Sequence, residues 1–113
     1  MRQRYRGEIR ETAVALGEMF EQLKAMDRWD ETLIWVFADH REAFGEHDSS
    51  GHTGSNYGNE VIRIPMIVKL PVSMGIESRG VTTPVSGYDV LSTTLSILDL
   101  PPHELALGRD ISP

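Results

Sequence analysis

The sequence predicts an α/β fold, and three observations carry that prediction. A helical apolar period runs from Glu8 to Met26. A short, uncharged, β-branched and aromatic run, Thr32-Leu33-Ile34-Trp35-Val36-Phe37-Ala38, follows it. A second apolar run, Met66-Ile67-Val68-Lys69-Leu70, and a helical stretch from Tyr88 to Leu98 come after a long polar loop. The order helix, strand, long loop, strand, loop, helix is an α/β pattern.

In the first helix, Ile9, Ala13, Leu16, Phe20 and Leu23 are spaced four, three, four and three apart, which sets them on one face for core packing. Gly17 is a mild interior penalty and is expected to mark close packing against the sheet. Residues 27–31 form a polar connection of ordinary length, with Trp29 as a partial cover of the core. Thr32–Ala38 reads as a buried strand because it is short, apolar and free of charge. Pro65 has no N–H to give, so a central ladder position there is disfavoured, and the second strand starts beyond it. Residues 72–84 are rich in Ser, Gly, Thr and Pro and read as a surface loop. Ser86 or Asp89 is positioned to cap the last helix, and Asp99-Leu100-Pro101-Pro102 stops it. A parallel sheet must be covered on both faces, and two or three strands make a poor free-standing sheet.

The chain has 113 residues, enough for one small domain. Its formal net charge is −6, with 17 acidic and 11 basic side chains. That balance argues against nucleic acid or an anionic membrane surface as a partner. Any anion site must then be local. Cysteine is absent, which removes disulfides and thiolate metal sites. No stretch approaches the ~20 apolar residues of a membrane-spanning helix. The N-terminal MRQRYRGEIR lacks the apolar region of a signal peptide.

The informative stretch begins where the first strand ends. Ligands of open α/β sheets bind at the carboxyl ends of strands, and Asp39 and His40 sit at that end. His47 and His52 follow, so three of the four histidines fall within thirteen residues. Asp39 offers a hard carboxylate oxygen and His40 an imidazole nitrogen. Together they suit manganese or zinc; calcium would need further oxygen ligands. Taken by themselves, the two residues read more readily as a helix cap and a surface histidine than as metal ligands. His52 reads equally as a solvated loop residue, and His47 as one that orders the turn. Glu42, Glu46 and Asp48 read as a solvated face, and His103 as exposed.

Ala38-Asp39-His40, Glu42, Gly45-Glu46-His47, Gly51-His52-Thr53-Gly54, Tyr57 and Val61-Ile62-Arg63-Ile64-Pro65 occur in an order that resembles the sulfatase family of the alkaline phosphatase superfamily. The resemblance reaches back to about Tyr5 and forward to Gly108-Arg109-Asp110-Ile111. It implies a partial alkaline-phosphatase-like α/β/α sandwich, with residues 1–113 as a fragment of a sulfatase-like catalytic domain, its middle-to-late part. It implies Asp39 and His40 as ligands of a divalent metal (calcium, manganese or zinc). It places His52 where the family contacts the substrate's anionic oxygens or leaving group, as hydrogen-bond donor or general acid, with His47 as a nearby contact. Arg63 is expected to be structural, paired with an acid such as Glu60. One residue departs: the family carries Gly after the Asp-His pair, and this chain carries Arg41. A bulky cation there is read as distorting the turn, crowding the metal or adding charge beside the anion site.

The function implied is metal-dependent hydrolysis of sulfate or phosphate esters, small-molecule or on a glycan or lipid. Asp-His in place of Asp-Asn tilts the reading toward phosphorus esters without excluding sulfate. No Cys/Ser-x-Pro-x-Arg nucleophile motif occurs, so the nucleophile and the first metal-binding acids are expected outside this chain. The alternative is a catalytically inactive remnant, or a split subunit that needs an N-terminal half as partner.

Overall fold

The computed structural model describes residues 2–45, 50–51 and 58–113. The elements are α1 (Arg2–Ala25), β1 (Ile34–Phe37), β2 (Ala43–Phe44), β3 (Ser50–Gly51), α2 (Asn59–Ile62), β4 (Met66–Lys69), a 3-10 turn (Val72–Met74) and α3 (Asp89–Ile97). They form two compact units, Met1–Gly75 and Ile76–Pro113. The described residues thus carry part of the expected α/β arrangement. No helix among them is long and apolar enough to cross a membrane.

In the first unit, α1 starts six residues before the apolar period does. Arg2, Gln3, Arg4 and Arg6 are strong helix formers, and Arg4 pairs with Glu8 one turn on, at 3.3 Å. The helix ends at Asp27, which takes the left-handed conformation (φ 53°). Arg28 N–H donates to the Leu23 carbonyl at 2.9 Å and Asp27 N–H to that of Lys24 at 3.0 Å, so the last carbonyls are satisfied. Lys24 in the last turn faces the negative end of the helix dipole. Leu16, Phe20 and Leu23 are half-buried, whereas Ile9 and Ala13 on the same face are exposed. The Gly17 expectation is corrected: a Cβ there would meet no described atom within 4 Å.

The polar connection is held at its two ends. Phe20 packs edge-on to Trp29 with ring centroids 5.2 Å apart. Val72 N–H donates to the Asp30 carbonyl at 2.8 Å. Lys69, the last residue of β4, lies over the Trp29 ring at 4.9 Å. Its ammonium donates to the carbonyl of Trp29 and, at 3.0 Å, to that of Thr32.

β1 and β4 pair antiparallel, with Ile34 opposite Lys69 and Phe37 opposite Met66. Pro65 lies just outside the ladder, as its missing N–H requires. The expected burial of the first strand is corrected. Ile34, Trp35 and Val36 are half-buried and Phe37 is 46% exposed, because a two-stranded sheet covers little of either face. A second ladder pairs Ala43 with Gly51 and Phe44 with Ser50. Ala43 and Val61 are the buried apolar residues among those described.

The second unit is built on α3. Ser86 accepts from the N–H of Tyr88 through Oγ at 3.3 Å, and the Asp89 carboxylate accepts from the N–H of Ser86 at 2.9 Å. These bonds close the turn before α3, whose N-cap is Tyr88 without a side-chain cap bond, so the expected cap by Ser86 or Asp89 is corrected. The same carboxylate accepts from Arg109 N–H at 2.8 Å and faces the Arg109 guanidinium at 3.5 Å. Thr93 accepts from Ile111 N–H at 3.1 Å, and Ser92 donates to the Gly108 carbonyl at 2.7 Å. The chain after α3 is therefore fastened to the helix by its short polar side chains. Gly108 permits this approach, since a Cβ there would stand 2.2 Å from the Tyr88 carbonyl oxygen. The helix closes on Asp99 (φ 52°), with Leu100 N–H reaching the Leu95 carbonyl at 2.9 Å.

Two predictions follow from this packing. Gly17→Ala raises stability by about 0.5–1 kcal/mol in chemical denaturation, because the helix conformation suits Ala and nothing crowds the new methyl. The second concerns acid. The Arg109 amide, then the Ser86 amide and the Arg109 charge, hold the Asp89 carboxyl below its usual range against the opposing effect of burial. The unfolded chain then binds the proton more readily, so stability rises with pH across this window. Asp89 contributes fully above about pH 4, the ordinary Asp value, and its contribution is lost as pH falls through the lowered folded value. Melting temperatures measured from pH 6 downward should fall on the acid side, and Asp89→Asn should flatten that limb while lowering the plateau.

Candidate metal centre

The first strand delivers Asp39 and His40 to the loop that leaves it. The Asp39 carboxylate turns back on this loop. Oδ1 accepts from the N–H of His40 at 2.9 Å, which fixes the carboxylate plane. Oδ2 stands 3.6 Å from His40 Nε2. The Asp39 side chain is 88% exposed and the His40 ring 39% exposed, so the pair opens to solvent.

The other ring nitrogen decides the chemistry. His40 Nδ1 lies 3.1 Å from the carbonyl oxygen of Arg41. A carbonyl only accepts, so Nδ1 carries the proton in the neutral ring and Nε2 presents its lone pair toward Asp39 Oδ2. Nε2 and Asp39 Oδ2 are two donor atoms close enough for one metal ion to bridge. Ligand atoms about 2.0–2.2 Å from a zinc ion stand roughly 3 to 3.5 Å from one another, so a spacing of 3.6 Å suits two adjacent ligands. A backbone carbonyl on Nδ1–H is the usual device for aiming Nε2 at a metal. The donor set therefore fits a divalent ion, as one pair of its ligands. Among the described residues no group of three His, Cys, Asp or Glu side chains converges.

The base of this loop is the best-packed part of the first unit. Arg41 N–H donates to the Val61 carbonyl at 2.8 Å, and its guanidinium donates to the Arg63 carbonyl at 3.1 Å. Val61 is buried, and so is Ala43, two residues beyond Arg41. The bulky cation at position 41 is thus directed to the turn that follows α2. Arg63 contributes its carbonyl to this contact, and its side chain is exposed. His47 and His52, the two expected substrate contacts, lie outside the described residues, as do Glu46 and Asp48. His103 is exposed, as expected. The links from Arg41 to residues 61 and 63 were not readable from the sequence, since they join positions about twenty apart. The one signal was the departure from Gly.

Residues 1–100 match the family described as Sulfatase. The chain is 41% identical over 69 residues to the multifunctional alkaline phosphatase superfamily protein PehA of Trinickia caryophylli, covering 61% of this chain and 13% of that one. It is 30% identical over 96 residues to the uncharacterized sulfatase YidJ of Escherichia coli K12, covering 85% of this chain and 18% of that one. It is 28% identical over 104 residues to an ulvan-active sulfatase of Formosa agariphila, covering 89% and 20%. The chain thus spans between 13% and 20% of the length of these relatives. No solved structure matches it.

A side chain as exposed as that of Asp39 contributes little to folding. Asp39→Ala should change stability by no more than about 0.5 kcal/mol, read from denaturant midpoints. A larger loss would assign Asp39 a structural role instead.

Proposed function

The chain belongs to the sulfatase family, and from that premise we propose that it supplies two metal ligands, Asp39 and His40, to a site that hydrolyses sulfate or phosphate esters. The observation that carries this reading is the facing of Asp39 Oδ2 and His40 Nε2 at 3.6 Å, with Nδ1–H committed to the Arg41 carbonyl. A divalent ion held there, calcium, manganese or zinc, would act as a Lewis acid on an anionic ester oxygen. The contribution of the chain's own residues is positional. The Asp39 carboxylate is braced by the His40 amide, and the His40 ring is held through Nδ1 by the Arg41 carbonyl. His52 is proposed to donate a hydrogen bond to the ester's anionic oxygens or to protonate the leaving group, with His47 beside it. The 113 residues contain no nucleophile motif of the family, so the attacking group is proposed to come from another segment. The elements are taken as part of an alkaline-phosphatase-like α/β/α sandwich.

The second reading is a chain that binds metal weakly and turns nothing over by itself, as an inactive remnant or a subunit completed by an N-terminal half. The missing nucleophile motif and Arg41 in place of the family's Gly favour it for the isolated chain.

Calorimetric titration of manganese, zinc and calcium into the full chain tests the metal pair. Asp39→Ala and His40→Ala should each weaken binding by at least about tenfold, and equal binding by wild type and Asp39→Ala would overturn the assignment. Hydrolysis of 4-nitrophenyl sulfate and 4-nitrophenyl phosphate separates the two readings. Metal-dependent turnover lost in Asp39→Ala supports the enzyme. An inert chain that gains activity when a family N-terminal segment is added supports the split subunit.

A further inference from the structure

We propose that Arg41 is a positioning residue that sets the tautomer and aim of His40 by clamping the metal loop to the turn after α2. The inference rests on the reading of Asp39 and His40 as metal ligands, and it concerns what makes that pair competent. Three contacts converge on this one residue. Its N–H donates to the Val61 carbonyl at 2.8 Å. Its guanidinium donates to the Arg63 carbonyl at 3.1 Å. Its own carbonyl, 3.1 Å from His40 Nδ1, accepts from the ring.

The geometry makes these contacts interdependent. A peptide carbonyl can hold a ring N–H only if the peptide itself is held, and an exposed loop residue with one backbone bond is free to rotate about it. The backbone bond to Val61 and the side-chain bond to Arg63 fasten Arg41 at two points two residues apart. Val61 is buried, so the first anchor point does not move with the loop. With both in place, the Arg41 carbonyl points at His40 Nδ1, the proton stays on Nδ1, and Nε2 keeps its lone pair toward Asp39 Oδ2. An unclamped loop would let the ring take the other tautomer, with Nε2–H donating to Asp39. That arrangement closes the seat to a metal. Arg suits the task because its fork is planar and permanently charged, and its donors reach a carbonyl along a fixed direction.

The test is made on the full chain with two variants, Arg41→Ala and Arg41→Lys. Ring 15N shifts of His40, followed to alkaline pH until they no longer change, report the tautomer without any metal. Wild type should show the proton on Nδ1. Arg41→Ala should move the population to Nε2–H and weaken zinc binding about tenfold, the cost typical of losing a residue that orients a ligand. Arg41→Lys, which keeps a cationic donor, should restore part of both. A His40 tautomer unchanged in Arg41→Ala overturns the proposal, even where the variant melts lower. Because the tautomer is read without metal, a chain that binds no zinc would sink the metal pair and leave this test standing.

Discussion

The Lys69 ammonium closes the first unit. It reaches from the end of β4 to two carbonyls of the connection before β1 and lies over the Trp29 ring. Three elements meet at that point: α1 through Phe20 on Trp29, β1 through Thr32 just ahead of it, and β4 through Lys69 itself. A cation among carbonyl oxygens and an aromatic face is held by charge-assisted bonds, each stronger than a neutral one. Such contacts matter here because apolar burial is scarce. Ala43 and Val61 alone are buried among the described apolar residues, while Phe37, Ile67 and Val68 on the sheet remain 40% exposed or more. With so little burial, directional bonds set where β1 begins, and so where it ends.

The end of β1 is where the chemistry lies. Once Ile34 is fixed opposite Lys69, Phe37 falls opposite Met66, and Asp39 and His40 follow two and three residues on. The loop then returns to the two buried residues, through Arg41 on Val61 and through Ala43. The site is thus suspended between a register fixed at one end and an anchor at the other. The anchored end meets the imidazole through the Arg41 carbonyl, and both ends limit where the two side chains point.

Much of this was legible in the sequence. Helix and strand positions follow from periodicity, which is local, and α1, β1, β4 and α3 lie where the apolar spacing put them. The start of α1 was hidden because its first residues form a helix without an apolar face. The antiparallel pairing of β1 with β4 was hidden because register is settled by contacts across some thirty residues. Lys69 looked like an ordinary member of an apolar run, although its charge is what fastens the sheet. Asp39 and His40 were singled out in the sequence because polar residues directly after a strand sit where ligands of open α/β sheets bind. Their mutual geometry was not legible, since it depends on a carbonyl one residue away and on anchors at 61 and 63. Both helix ends were readable, but the left-handed conformation of Asp27 and Asp99 that closes them was not, because Gly is the usual residue there.

The two best-defined aspartates show how surroundings separate structure from chemistry. Asp89 is 3% exposed and meets two amides and a guanidinium, all donors, so its charge is fully engaged in holding α3 to the chain that follows. Nothing about it is left to act on another molecule. Asp39 has one oxygen engaged by an amide, and the other faces a nitrogen whose proton lies on the far side of the ring. That second oxygen takes no proton from the imidazole and is open to solvent. An acid whose needs are met within the fold stabilises it. An acid that keeps an oxygen open to solvent beside a ring nitrogen remains available to another partner, and Asp39, unlike Asp89, has that exposure.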